Sequence, residues 1–176
     1  RLFLTSTPGQ GSTFSFQLSF DLPPGATIDG GDGLLLEHLR DLPVLVVDDN
    51  ETNRRIVSDT LANWSMKPVV AQNAKQALSV FEQAAKTDHP FSLVIVDAVM
   101  PGIDGYELAG KIAELSPDPQ APVILMVSST DRREFRDREA ANISVFLPKP
   151  VTESDLLDAV MQSLRLQPAE LVQQAN

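Results

Sequence analysis

Five short runs of mostly β-branched apolar residues recur along one part of this chain: Val44–Val47, Pro68–Ala71, Leu93–Val96, Val123–Val127 and Ser144–Leu147. They lack the in-and-out polar alternation of a half-exposed sheet, so they read as strands covered on both faces, the mark of a parallel sheet. The segments between them carry apolar residues at spacings of three and four: Val57, Leu61 and Trp64; Ala74, Ala77, Leu78, Phe81 and Ala85; Leu108, Ala109, Ile112 and Leu115; and finally Leu156, Val160 and Leu164. That spacing gives one apolar helix face per segment. The intervening segment 131–141 is the most polar, with DRREFRDRE reading as a solvated helix face. Strand and helix in strict alternation imply an α/β fold, a doubly wound five-stranded parallel sheet. Ligands of such sheets bind beyond the carboxyl ends of the strands, so the residues just after each strand are the ones that can carry function.

The first 42 residues follow a different pattern, with six of the nine Gly and four of the eight Phe. Apolar residues at every second position, Phe14, Phe16, Leu18 and Phe20, predict a hairpin of strands Leu2–Thr5 and Thr13–Phe20 around Pro8-Gly9-Gln10-Gly11. A lone hairpin is marginal in water, so this one is expected to belong to a larger sheet. From Pro23 to Gly33 the sequence PPGATIDGGDG has no periodicity, and residues 23–42 read as a flexible linker. Residues 167–176 read as a tail.

Composition excludes several classes. With 24 acidic against 14 basic residues and a net charge of −10, a nucleic-acid partner is disfavoured, since that affinity rests on Lys and Arg. The absence of Cys removes disulfides, thiolate metal sites and cysteine nucleophiles. No window approaches the roughly 18 apolar residues of a membrane span, so no direct membrane contact is expected.

At the five strand ends stand Asp48, Asp49 and Asn50; Asp97; Ser128, Ser129 and Thr130; and Pro148-Lys149-Pro150. Taken singly, an Asp-Asp-Asn run is a solvated turn or helix cap, and a lone Asp, Ser or Lys after a strand carries little. Their convergence on one rim carries more. Carboxylates about 4 Å apart repel by roughly 4 kcal/mol per pair at an effective dielectric near 20, so three in one cleft call for a cation. Oxygen ligands without His or Cys point to a hard ion such as Mg²⁺. With a dication and Lys149 the cleft approaches neutrality and can accept a phosphoryl group. A nucleotide- or flavin-binding domain would need a Gly-rich loop where DDNETN stands.

The segments VLVVDDNETNRR (44–55), LVIVDAVMPGIDGYEL (93–108), VILMVSST (123–130) and VFLPKPV (145–151) together resemble the receiver domains of two-component response regulators. The resemblance covers residues 43–166 and implies a flavodoxin-like sheet of strand order 2-1-3-4-5. It implies that Asp97 is the phosphoacceptor, taking a phosphoryl group from phosphohistidine on a kinase dimerisation domain or a histidine phosphotransfer protein. Asp48, Asp49, Asp97 and the backbone carbonyl of Val99 would hold Mg²⁺, while Ser128 and Lys149 would hold phosphoryl oxygens. Phe146 falls at the family's switch position together with Ser128, although as a lone residue it reads equally as core filler. The Lys149-Pro150 bond resembles the family's cis peptide, and Val99 and Thr130 sit where the family tunes phosphoryl lifetime. Gly105, after Asp104, lets the third loop pass close to the site, and Asn50 or Thr52 is expected to cap the first helix of the domain.

The stretch TSTPGQGSTFSFQLSF (5–20) resembles the closing strands of a histidine-kinase ATPase domain. On that resemblance residues 1–22 are the end of such a domain and the parent is a hybrid sensor kinase, with this part cytoplasmic even if the parent is membrane-anchored. Such a chain catalyses at most its own phosphorylation and dephosphorylation. A receiver-like interaction module that works without phosphorylation is the other reading, and the presence of every acidic, hydroxyl and Lys position disfavours it.

Overall fold

The computed structural model describes residues 2–7, 11–16, 37–115, 121–128 and 142–166. The chain divides into two units, residues 1–30 and 31–176.

In the first unit β1 (Leu2–Thr7) and β2 (Gly11–Phe16) form an antiparallel pair in the register Leu2 with Phe16 through Thr7 with Gly11. The pairing takes Gly11 out of the predicted four-residue turn and into the strand. The predicted continuation to Phe20 lies outside the described residues.

The second unit is the alternating part. Its strands are β3 (Pro43–Val47), β4 (Lys67–Ala71), β5 (Leu93–Asp97), β6 (Val123–Val127) and β7 (Ile143–Pro148), all parallel, in the spatial order β4-β3-β5-β6-β7. Numbered within this unit, that is the predicted order 2-1-3-4-5. The helices are α1 (Glu51–Asn63), α2 (Ala74–Ala84), α3 (Gly105–Leu115) and α4 (Glu153–Ser163). The predicted helical segment 131–141, with Ser129 and Thr130, and the tail 167–176 lie outside the described residues.

Every side chain of β5 and β6 is buried, and the two sets of alternating positions feed different cores. Leu45, Val47, Val94, Val96, Leu125 and Val127 pack with Phe81 of α2 and Leu108 and Ile112 of α3. Val44, Val46, Leu93, Ile95, Ile124 and Met126 pack with Val57 and Leu61 of α1 and Leu156 and Val160 of α4. Two-sided burial explains why these runs are apolar at every position. The explanation fails for β4, an edge strand on which Val69 and Val70 remain 40% and 44% exposed. Leu115, the last apolar residue predicted for α3, is also exposed, because it closes the final turn.

Helix ends follow local chemistry. Asn50 caps α1, its side chain accepting from the amides of Thr52 and Asn53, and Asn73 and Thr152 cap α2 and α4 in the same way. After α1, Ser65 takes φ 61°, its N–H donating to Ala62 O while Met66 N–H reaches Leu61 O, a Schellman closure that turns the chain into β4. Residues 37–42, which composition assigns to the linker, belong to this packing. Leu39 is fully buried beside Val44, Leu61 and Trp64, and Asp41 N–H donates to Ser65 O at 2.8 Å. Among the described residues no helix is long and apolar enough to cross a membrane.

Candidate functional site

Three strand ends and the first turn of α1 build the cleft. Asp48 follows β3 directly and is fully buried, while Asp49, one residue on, is exposed. Asp97 closes β5 and is 6% exposed, and Lys149 follows β7, tied to β6 by its N–H donating to Val127 O at 2.8 Å. The peptide Lys149-Pro150 is cis. Carboxylate oxygens of Asp48, Asp49 and Asp97 all lie within 4.8 Å of one another. The Lys149 ammonium stands 2.7 Å from Asp97 Oδ1 and 3.7 Å from Asp48 Oδ2, bridging the two buried acids.

The rest of the rim is made of main chain and short polar groups. Val99 N–H donates to Asp97 Oδ1 at 3.3 Å, and its side chain is 57% exposed at the mouth. Ser128 follows β6 and is half-buried. Phe146 lies on β7 paired with Leu125 of β6, half-buried against the core on the α2/α3 side of the sheet. The structure therefore brings Asp48, Asp49, Asp97, Val99 and Lys149 together, and places Ser128 and Phe146 on the adjoining strands.

Gly105 explains how the loop after β5 stays so close. Its N–H donates to Ala98 O at 3.0 Å, and a Cβ there would run into the Asp97 carbonyl oxygen and stand 2.9 Å from Leu125 Cδ1. Only glycine fits this approach. Asp104 then starts α3, its side chain accepting from Glu107 N–H at 2.7 Å.

Two residues escaped the sequence reading. Asn53 Nδ2 donates to Asp48 Oδ2 at 3.2 Å, and Arg54 Nη1 donates to the carbonyl oxygens of both Asp48 and Asp49, at 2.7 and 3.0 Å. With Asn50 N–H donating to Asp48 Oδ1 at 2.8 Å, the start of α1 surrounds the buried carboxylate with donors. On a helix an Asn-Arg pair reads as solvated surface. The signal that could have found them is their place in the first turn after an acidic loop, where side chains reach back toward the helix start.

The electrostatics are those of a cation site. Burial pushes the Asp97 carboxyl above the usual carboxylate range; the Lys149 hydrogen bond and charge and the Val99 amide pull it down, and the Asp48 charge adds to the rise. Three oxygen-bearing acids, two of them buried and faced among the described residues by the single Lys149 ammonium, form a donor set that a hard dication fits.

The sequence profile of the response regulator receiver domain matches residues 44–161. The chain belongs to that family. It is 31% identical over 128 residues to the two-component response regulator ARR16 of Arabidopsis thaliana, covering 68% of this chain and 78% of that one. It is 29% identical over 164 residues to the sensor histidine kinase AtsR of Burkholderia thailandensis, where the match takes in 91% of this chain but spans only 26% of the relative. Among solved structures, the receiver domain of the hybrid histidine kinase CckA aligns with a TM-score of 0.56 and 29% identity, covering 69% of this chain and 98% of that one. Receivers thus occur among its relatives both as a separate regulator and as part of a kinase.

Proposed function

We propose that this receiver is a Mg²⁺-dependent phosphoacceptor in a two-component phosphorelay, with Asp97 as the residue that takes the phosphoryl group from a phosphohistidine. The observation that carries the reading is the Lys149 ammonium 2.7 Å from Asp97 Oδ1, within a cluster that also holds Asp48 and Asp49. An Asp97 oxygen attacks phosphorus as the P–N bond to the donor imidazole breaks, the electron pair staying on the imidazole nitrogen, which takes up a proton. Lys149, already on Asp97, follows the charge onto the phosphoryl oxygens, and Ser128 offers its hydroxyl from the end of β6. Asp48, Asp49, Asp97 and the Val99 carbonyl would hold Mg²⁺, which when bound neutralises the acids against the incoming phosphoryl group. Phe146, within β7, and Ser128, just after the neighbouring β6, are the pair that would relay phosphorylation to the surface.

The partner on this reading is a kinase dimerisation domain or a histidine phosphotransfer protein, met in the cytoplasm. Residues 1–22 we assign to the end of a kinase ATPase domain, with residues 43–166 as the receiver; the match to AtsR over 91% of this chain, well beyond the receiver, supports a hybrid kinase as parent. Incubation with acetyl phosphate and Mg²⁺ followed by intact mass measurement tests the reading. The expected result is one phosphoryl adduct on the wild type and none on Asp97→Asn. No adduct on the wild type would favour the phosphorylation-independent interaction module.

A further inference from the structure

Arg54 sits in a place that its charge alone makes unfavourable. A guanidinium close to an acidic cation site repels the cation, yet Arg54 Nη1 lies 2.7 Å from Asp48 O and 3.0 Å from Asp49 O, consecutive carbonyls in the link from β3 to α1. One nitrogen that holds two consecutive carbonyls fixes the two peptide planes on either side of the Asp49 Cα, Asp48–Asp49 and Asp49–Asn50. The two carboxylates do not need that help equally. Asp48 is held at both oxygens, by Asn50 N–H at Oδ1 and by Asn53 Nδ2 and Lys149 at Oδ2. The Asp49 carboxylate is exposed, and among the described residues no hydrogen bond or ion pair restrains it. Its direction is therefore set by its main chain, which is what Arg54 grips.

We propose that Arg54 is a positioning residue for divalent-cation binding, acting through the Asp48 and Asp49 carbonyls to aim the unrestrained Asp49 carboxylate into the cleft. The proposal rests on the phosphoacceptor reading for the identity of the cation. It has a sign that separates it from simple electrostatics. If Arg54 were only a nearby positive charge, its removal would strengthen Mg²⁺ binding; as a positioning group, its removal weakens binding, because loss of a partner that orients a metal ligand costs about 10- to 100-fold in affinity.

The test is calorimetric Mg²⁺ titration of the full chain as wild type, Arg54→Met and Arg54→Lys, with amide hydrogen exchange of the metal-free proteins as a second readout. Arg54→Met is expected to bind about tenfold more weakly and to exchange faster over residues 48–51, while the remainder of the sheet keeps its protection. Arg54→Lys keeps the charge and a donor but loses the rigid planar guanidinium, so its affinity is expected between the two. An Arg54→Met protein that binds Mg²⁺ as tightly as the wild type, or more tightly, overturns the proposal and leaves the phosphoacceptor reading intact. A wild type that binds no Mg²⁺ overturns both.

Discussion

A methyl group added at Gly105 and one added at Gly110 should have opposite consequences, although both glycines lie in α3 and are five residues apart. At Gly105 the new carbon would overlap the Asp97 carbonyl oxygen and stand 2.9 Å from Leu125 Cδ1, about 0.5 Å inside ordinary contact. Neither neighbour can yield cheaply. Leu125 is fully buried, and the Asp97 backbone is part of β5, in register with Met126. Overpacking of this kind costs about 1–3 kcal/mol, and Gly105, as the first residue of α3, recovers only a small part of the roughly 0.5–1 kcal/mol that alanine gains over glycine in a helix interior. The net for Gly105→Ala is a loss of about 1–2 kcal/mol, or a Tm lower by roughly 3–10 °C for a domain of this size. Nothing lies within 4 Å of the corresponding position at Gly110, so Gly110→Ala should show the helix gain alone, about 0.5–1 kcal/mol. Urea denaturation of both variants measures the difference, and Mg²⁺ titration adds a second contrast, since only Gly105→Ala displaces the backbone carrying Asp97. If Gly105→Ala unfolds at or above the wild-type midpoint, or if both variants shift in the same direction, the close approach of this helix to the site is not what fixes glycine there.

Leu39→Ala should destabilise the receiver by about 2–4 kcal/mol, the cost of a buried leucine truncated in a close-packed core, whereas a residue in a free linker would cost nothing measurable; denaturation midpoints decide between them. Mg²⁺ at ten times its Kd should stabilise the wild type by about 1.4 kcal/mol, an increment that Asp49→Ala should lose; equal increments in the two proteins would remove Asp49 from the ligand set. In metal-free protein the raised Asp97 pKa means that its stability contribution is full below the unfolded value near pH 4 and is lost as pH rises through the higher folded value. Asp97→Asn should therefore gain on the wild type as pH is raised from about 4, and a stability difference that stays constant with pH would contradict the burial argument.

The sheet was legible because its central strands are apolar for a reason that leaves a pattern: β5 and β6 are sealed on both faces, so every position is selected alike. The strand ends were legible for the same cause, since a carboxylate directly after such a strand must lie at the sheet rim. Edge strands obey a weaker rule. Val69 and Val70 look like core residues and are exposed, because β-branched side chains suit an extended backbone whether or not anything covers them. Leu39 was hidden by its neighbours: a glycine-rich stretch lowers the apparent order of everything near it, and one buried leucine has no periodicity of its own. Arg54 was hidden for a different reason. Its partners are main-chain carbonyls, and a carbonyl leaves no trace in the sequence.

Trp64 is the sole tryptophan of the chain, 6% exposed in the core that α1 and α4 share with β3. Its fluorescence consequently originates in the second unit, bright or quenched according to whether that core is closed, whereas circular dichroism also carries the β1–β2 hairpin. Two melting curves taken with these probes can separate without any partly folded receiver being present. Coincidence of probes, the usual evidence for all-or-none unfolding, has to be sought here between signals that both originate after residue 30.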